Sequence, residues 1–160
     1  MMCQCLSNSG DPLEGKSIPV LYSFKDHGFF SISGNLGTQL IQGVGWAMAN
    51  AYRNEYKIAS VITGEGATAE GDFHYALNFA STYRAPCIIN VVNNQWAISV
   101  RREYQSGAAT LAQKAIAAGI PGAEFHQVES NNHIPLPSDP VWEEIVNAQL
   151  EFLARDTAAE

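Results

Sequence analysis

Lys57 to Ser99 reads KIASVITGEGATAEGDFHYALNFASTYRAPCIINVVNNQWAIS, and the fold is decided within it. Ile58 to Thr63 is a short apolar, partly β-branched run that breaks at Gly64-Glu65-Gly66, too abruptly for a helix. It predicts a buried strand ending in a glycine turn. Beyond the turn, Phe73, Ala76, Leu77 and Ala80 fall at helical spacing, with Arg84 at the end of the stripe and Pro86 as a stop. Cys87 to Val92 is a second apolar run, followed at once by Asn93-Asn94. Strand, turn, helix and strand make a right-handed βαβ unit with parallel strands, and the fold class is α/β with a mostly parallel sheet and helices on both faces.

In a parallel sheet the carboxyl ends of neighbouring strands lie side by side, so Glu65 and Asn93-Asn94 converge beside the start of one helix. A helix start offers free N–H groups that suit a phosphate. A carboxylate and an amide oxygen beside it suit a hard cation, and Mg²⁺ bridging to a diphosphate satisfies both halves. The small residues Gly66, Ala67 and Ala69 let the backbone approach phosphates closely. Two other readings compete. Gly64 to Ala69 formally satisfies the G-x-G-x-x-A dinucleotide fingerprint of a nicotinamide-binding domain, but Asn93-Asn94 stands where that fold expects an acid for the ribose. A glycine turn and an Asn-Asn loop without any ligand is the plainest alternative.

Gly-Glu-Gly, 26 further residues and then Asn-Asn resembles the thiamine-diphosphate motif. With the surrounding Gly-Glu-Gly-Ala-Thr-Ala-Glu-Gly-Asp-Phe-His, Tyr-Arg-Ala-Pro and Asn-Val-Val-Asn-Asn-Gln-Trp-Ala-Ile-Ser, the sequence is similar to the alpha subunit of bacterial 2-oxoacid dehydrogenases, nearest the branched-chain type. The resemblance implies a partial thiamine-diphosphate-binding fold. It implies that Glu65, Asn94 and the backbone carbonyl of Trp96 hold Mg²⁺, with Gly66 and Ala67 amides near the phosphates and Gly34 and Leu36 reaching the cofactor by their backbones. In related subunits the positions of Ser33, Asn35, Thr38 and Gln39 can surround a monovalent cation; Thr38 or Asn35 could equally cap the helix that follows.

The implied activity is oxidative decarboxylation of a 2-oxo acid, with acyl transfer to a lipoyl group on an acyltransferase component. The implied partner is a beta subunit in an α2β2 assembly, which supplies the activating Glu. No residue of this chain is singled out as catalytic, and His74 is given no chemical role. The family's upstream Tyr-Arg is not in the sequence, and His133, followed by Ile-Pro-Leu-Pro-Ser-Asp, is not taken as the family's phosphate-contacting His. A truncated, non-catalytic subunit that only binds a partner is therefore a second hypothesis.

The chain of 160 residues with 46% hydrophobic content suits one domain with a real core. Its net charge of −7 carries no basic run, which argues against nucleic-acid or membrane-surface partners. No apolar run approaches the roughly 18 residues of a membrane span, and the N-terminus lacks a signal pattern. Cys3, Cys5 and Cys87 have no framework spacing and fit reduced thiols in the cytoplasm.

Three regions follow. Residues 1–18 lack periodicity and are expected to form a flexible tail; 19–122 carry the resemblance as a thiamine-diphosphate-binding domain; 123–160 form a divergent segment with a terminal helix. Within the second region, Leu40, Ile41, Val44, Ala47, Met48 and Ala51 predict a helix from about Thr38 to Arg53, with Gly43 and Gly45 marking a close packing partner. Glu70 and Asp72 are expected to cap the helix after Glu65. An Ala-rich helix is expected over Ala108–Ala118, ended by Gly119, and a last one from Asp139-Pro140 to about Ala154.

Overall fold

The computed structural model describes residues 2–18, 21–30, 33–120, 138 and 140–156. In chain order its helices and strands are α1 (Met2–Cys5), α2 (Thr38–Tyr52), β1 (Ala59–Gly64), α3 (Gly71–Tyr83), β2 (Cys87–Val92), β3 (Trp96–Ala97), β4 (Val100–Arg101), α4 (Ala112–Ala117) and α5 (Trp142–Asp156). A 3-10 turn over Glu65–Ala69 joins β1 to α3, and another over Arg102–Tyr104 follows β4.

The parallel βαβ unit is present. β1 pairs with β2 in parallel register from Ala59↔Cys87 to Gly64↔Val92, and β3 pairs with β4 as a separate antiparallel hairpin. The protein is thus α/β with a small parallel sheet.

One cluster forms the core. Leu40 and Val44 of α2, Val61 of β1, and Phe73, Ala76, Leu77 and Ala80 of α3 are buried together. Cys87, Ile89 and Val91 of β2, Ala115 of α4 and Ala118 just after it pack against them. Val61 alternates with exposed Ser60 and Ile62, so β1 turns one face to α2 and α3. On the other face, Gln149 of α5 donates from Nε2 to Asn90 Oδ1 at 2.6 Å.

Helix α2 forms because its apolar stripe finds this sheet. Gly43 marks the contact: a β-carbon there would lie 2.2 Å from Cγ2 of Val61. Gly45, by contrast, would meet nothing within 4 Å. The cap expected from Thr38 or Asn35 is not made. Gly37 is the N-cap residue at φ 83°, a left-handed conformation that glycine adopts freely, and Thr38 Oγ1 donates back to the Asn35 carbonyl at 3.1 Å.

Helix α3 shows a similar correction. Glu70 occupies its N-cap position, but its side chain makes no cap hydrogen bond. The helix ends at Arg84, φ 48°, before Pro86 can break it. Helix α4 is shorter than its sequence predicts because Arg102 Nη2 donates to the carbonyls of Ala108 and Ala109, both at 3.3 Å, keeping that segment out of the helix. Gly119 follows at φ 68° as the expected terminator.

Residues 2–18, which carry no periodicity, form α1 and a run of turns. Asp11 accepts from the Leu13 and Gly15 amides, each at 2.8 Å, and Gln4 exchanges side-chain hydrogen bonds with the Ser23 backbone. The expected start of the last helix at Asp139, and His133, lie outside the described residues.

Candidate functional site

The register Gly64↔Val92 fixes the site. Neighbouring strands run about 4.8 Å apart, so the residues that follow the pair, Glu65 and Asn93-Asn94, leave the sheet side by side at its carboxyl end. Glu65 begins the 3-10 turn and is 1% exposed. Among the described residues neither of its carboxylate oxygens has a hydrogen-bond partner.

A carboxylate taken out of water with nothing to donate to it is strongly disfavoured. The backbone around it is held firmly: Thr68 Oγ1 donates to the Glu65 carbonyl at 2.7 Å, and Lys114 Nζ donates to the Thr68 carbonyl at 2.5 Å. The Lys114 ammonium also stands 5.8 Å from the centre of the Phe73 ring. Burial, and secondarily the neighbouring Arg102 charge, pull its pKa below the usual lysine range.

Asn93 and Asn94 turn the chain after β2. Asn93 Oδ1 accepts from the Gln95 amide at 3.3 Å and Asn94 Oδ1 from the Trp96 amide at 3.0 Å, two successive Asx turns. They steer the chain into the β3–β4 hairpin, which returns over the Glu65 turn. Ala97 sits so close that a β-carbon on Gly66 would lie 2.6 Å from its Cβ. Only glycine at 66 permits this approach. Trp96 is 44% exposed, with the Arg101 guanidinium 5.2 Å from its ring centre.

Ala67 and Thr68 are buried in the same turn. The 33–37 loop reaches it from the other side, since a β-carbon on Gly37 would lie 3.9 Å from the Ala67 carbonyl oxygen. Gly34 is open to solvent and Leu36 is 60% exposed. Of the residues linked to a monovalent cation, Gln39 donates weakly to the Ile62 carbonyl at 3.4 Å and keeps a buried Oε1 that is unpartnered among the described residues. Ser33 Oγ accepts from the Asn35 amide at 3.1 Å.

Three side chains not singled out from the sequence border the site: Arg102, Gln105 and Lys114. Gln105 has a buried Oε1 without a partner among the described residues, 3.5 Å from where a Gly66 β-carbon would stand. A lysine set in an alanine-rich helix was the one signal available for Lys114. Nothing in the sequence marked Gln105. His74 is exposed and packs edge-on against Phe73.

The arrangement can do two things chemically. Its buried, acceptor-only carboxylate suits a hard divalent cation. Its glycine- and alanine-lined turn admits an anionic group close to the backbone. Among the described residues no three His, Cys, Asp or Glu side chains cluster as a metal-binding group.

The family described as Dehydrogenase E1 component matches residues 1–132, beyond both limits of the 19–122 sequence resemblance. The chain is 50% identical over 143 residues to the 2-oxoisovalerate dehydrogenase subunit alpha of Pseudomonas aeruginosa, which covers 89% of this chain and 34% of that protein. It is 47% identical over 95 residues to the pyruvate dehydrogenase E1 component subunit alpha of Staphylococcus aureus, covering 59% of this chain and 26% of that one. It is likewise 47% identical over 87 residues, 54% of this chain and 24% of the relative, to the 3-methyl-2-oxobutanoate dehydrogenase subunit alpha of Mycobacterium tuberculosis. The chain spans about a third or less of the length of these relatives. With two-thirds of its residues or more inside the family match and half of them identical to a named member, the chain belongs to the dehydrogenase E1 component family.

Proposed function

We propose that this chain is the Mg²⁺-thiamine-diphosphate-holding part of a 2-oxoacid dehydrogenase alpha subunit, with a branched-chain 2-oxo acid as substrate. Glu65 and Asn94 would hold the cation with their side-chain oxygens and Trp96 with its backbone carbonyl. Gly66 and Ala67 would present backbone amides to the diphosphate, and Gly34 and Leu36 would meet the cofactor by their backbones. Residues 19–122 form the cofactor-binding unit in this reading.

The observation that carries it is the buried Glu65 carboxylate, unpartnered among the described residues and emerging from β1 beside Asn94. The donor set fits the group: oxygen ligands for a hard cation, and a turn where glycine admits close approach. The first relative's name supports a branched-chain substrate. When bound, the cofactor supplies attack on the keto carbon and a sink for the electrons left as CO₂ departs. This chain's residues bind and orient the diphosphate end. They transfer no proton, and the activating carboxylate would come from a beta subunit.

The acyl product would pass to a lipoyl group of an acyltransferase partner. The free thiols of Cys3, Cys5 and Cys87 support a cytoplasmic setting. Among the described residues no helix is long and apolar enough to cross a membrane. Reconstitution with the beta subunit of the Pseudomonas aeruginosa enzyme tests the reading, with CO₂ release measured from 2-oxoisovalerate and from pyruvate. Release dependent on both chains, and faster from 2-oxoisovalerate, is the expected result. A mixture that gains no thiamine diphosphate and releases no CO₂ contradicts it.

A further inference from the structure

Beyond Glu65, the buried Oε1 of Gln105 is among the oxygens that lack a donor among the described residues. The Gln105 side chain is fixed at its other end, where Nε2 donates to the Val100 carbonyl at 2.7 Å, and its own amide nitrogen donates to the Arg102 carbonyl at 2.9 Å. The orientation of the amide follows from that bond. A flipped amide would set oxygen against the Val100 carbonyl oxygen, so Oε1 points the other way.

It points at Gly66. Oε1 stands 3.5 Å from the position a Gly66 β-carbon would take, and it is buried without a hydrogen-bond partner, as are both oxygens of the adjacent Glu65. These three oxygens are acceptors; the Arg102 Nε, a donor, is likewise buried without a partner among the described residues. A divalent cation of the magnesium kind keeps several bound waters, and these are strong donors.

We infer that Gln105 is a positioning residue of the cation site, its Oε1 accepting a hydrogen bond from a water on the cation that Glu65 holds. The inference rests on the reading of Glu65 as a cation ligand. It adds the residue that ends the 3-10 turn after β4 to a site otherwise drawn from the sheet ends. The β3–β4 hairpin thereby acquires a role in binding, because the Val100 carbonyl aims the amide and the hairpin's packing on Gly66 sets its distance.

Two substitutions separate the acceptor from the donor. Gln105→Glu keeps an acceptor and loses the donor to Val100; Gln105→Lys keeps a donor for Val100 and loses the acceptor. Mn²⁺ binding to the full chain with thiamine diphosphate present is followed by loss of the free-ion EPR signal, with Glu65→Gln as reference and a thermal unfolding midpoint for every variant. Outer-shell partners are worth about 10–100-fold in metal affinity. Gln105→Lys should lose that much, while Gln105→Glu binds as tightly as the parent or tighter.

If both bind like the parent while Glu65→Gln does not, Gln105 stands outside the site. If Gln105→Glu loses binding as much as Gln105→Lys, or more, the residue matters only through Val100. Either result overturns the inference. Retention of Mn²⁺ by Glu65→Gln would instead overturn the cation reading of Glu65 itself.

Discussion

Gly43 of α2 lies on Val61 of β1 so closely that a β-carbon would stand 2.2 Å from Val61 Cγ2. This contact seats the helix on the strand whose end carries Glu65. Gly43→Ala should therefore destabilise the chain by about 1–3 kcal/mol, the ordinary cost of overpacking. Gly45→Ala, two residues on and with nothing within 4 Å, should stabilise it by up to about 1 kcal/mol through helix propensity. Urea unfolding midpoints of the two variants should move in opposite directions.

Gly66 faces Ala97 across the site at 2.6 Å from its would-be β-carbon. Gly66→Ala should displace the β3–β4 hairpin and cost about 1–3 kcal/mol. Ala97→Gly in the same chain should recover part of that loss. A double-mutant cycle measured by denaturant unfolding, with a coupling above about 0.5 kcal/mol, would verify the contact; strict additivity would deny it.

Glu65 sets stability against binding. Its buried carboxylate, unpartnered among the described residues, burdens the metal-free chain, so Glu65→Gln should raise metal-free stability by about 1–3 kcal/mol. The same substitution should remove Mg²⁺-dependent cofactor binding. Thermal unfolding in excess chelator reads the first effect and titration calorimetry the second.

Cys87 gives the chain an alkaline sensitivity. Burial raises its thiol above the ordinary 9.0, so the unfolded chain ionises first. Well below that ordinary value the thiol is neutral in both states and contributes no slope. As pH rises from 9.0 through the raised value the unfolded state holds fewer protons than the folded one, and stability falls. Lys114 is shifted downward and contributes the opposite slope. A comparison of parent and variant cancels the lysine: Cys87→Ala should show a shallower loss of urea midpoint above pH 9.0 than the parent. Equal slopes would contradict it.

The central βαβ unit was legible because its runs are short, apolar and punctuated by Gly64-Glu65-Gly66, Pro86 and Asn93-Asn94. Cys87–Val92 forms as read, and Ile58–Thr63 shifts by one residue to Ala59–Gly64. Helix ends were less legible, since they depend on backbone geometry. Gly37 caps α2 by conformation where a Thr38 or Asn35 side chain was the alternative, and Arg84 ends α3 in a left-handed turn ahead of the proline. Arg102 shortens α4 through contacts no periodicity encodes.

The same division holds at the site. Glu65 and Asn94 were visible because they sit at the ends of recognisable strands. Gln105 and Lys114 arrive through a hairpin and a later helix. Their roles depend on which carbonyl each amide or ammonium finds in space, Val100 for one and Thr68 for the other.

The most direct measurement is calorimetric titration of the chain with thiamine diphosphate, with and without Mg²⁺, beside Glu65→Ala and Asn94→Ala. Mg²⁺-dependent binding that both substitutions abolish is the expected result. Thiamine diphosphate that fails to bind even with Mg²⁺ and a beta subunit present, or that binds equally well to both variants, would contradict the role given to Glu65 and Asn94.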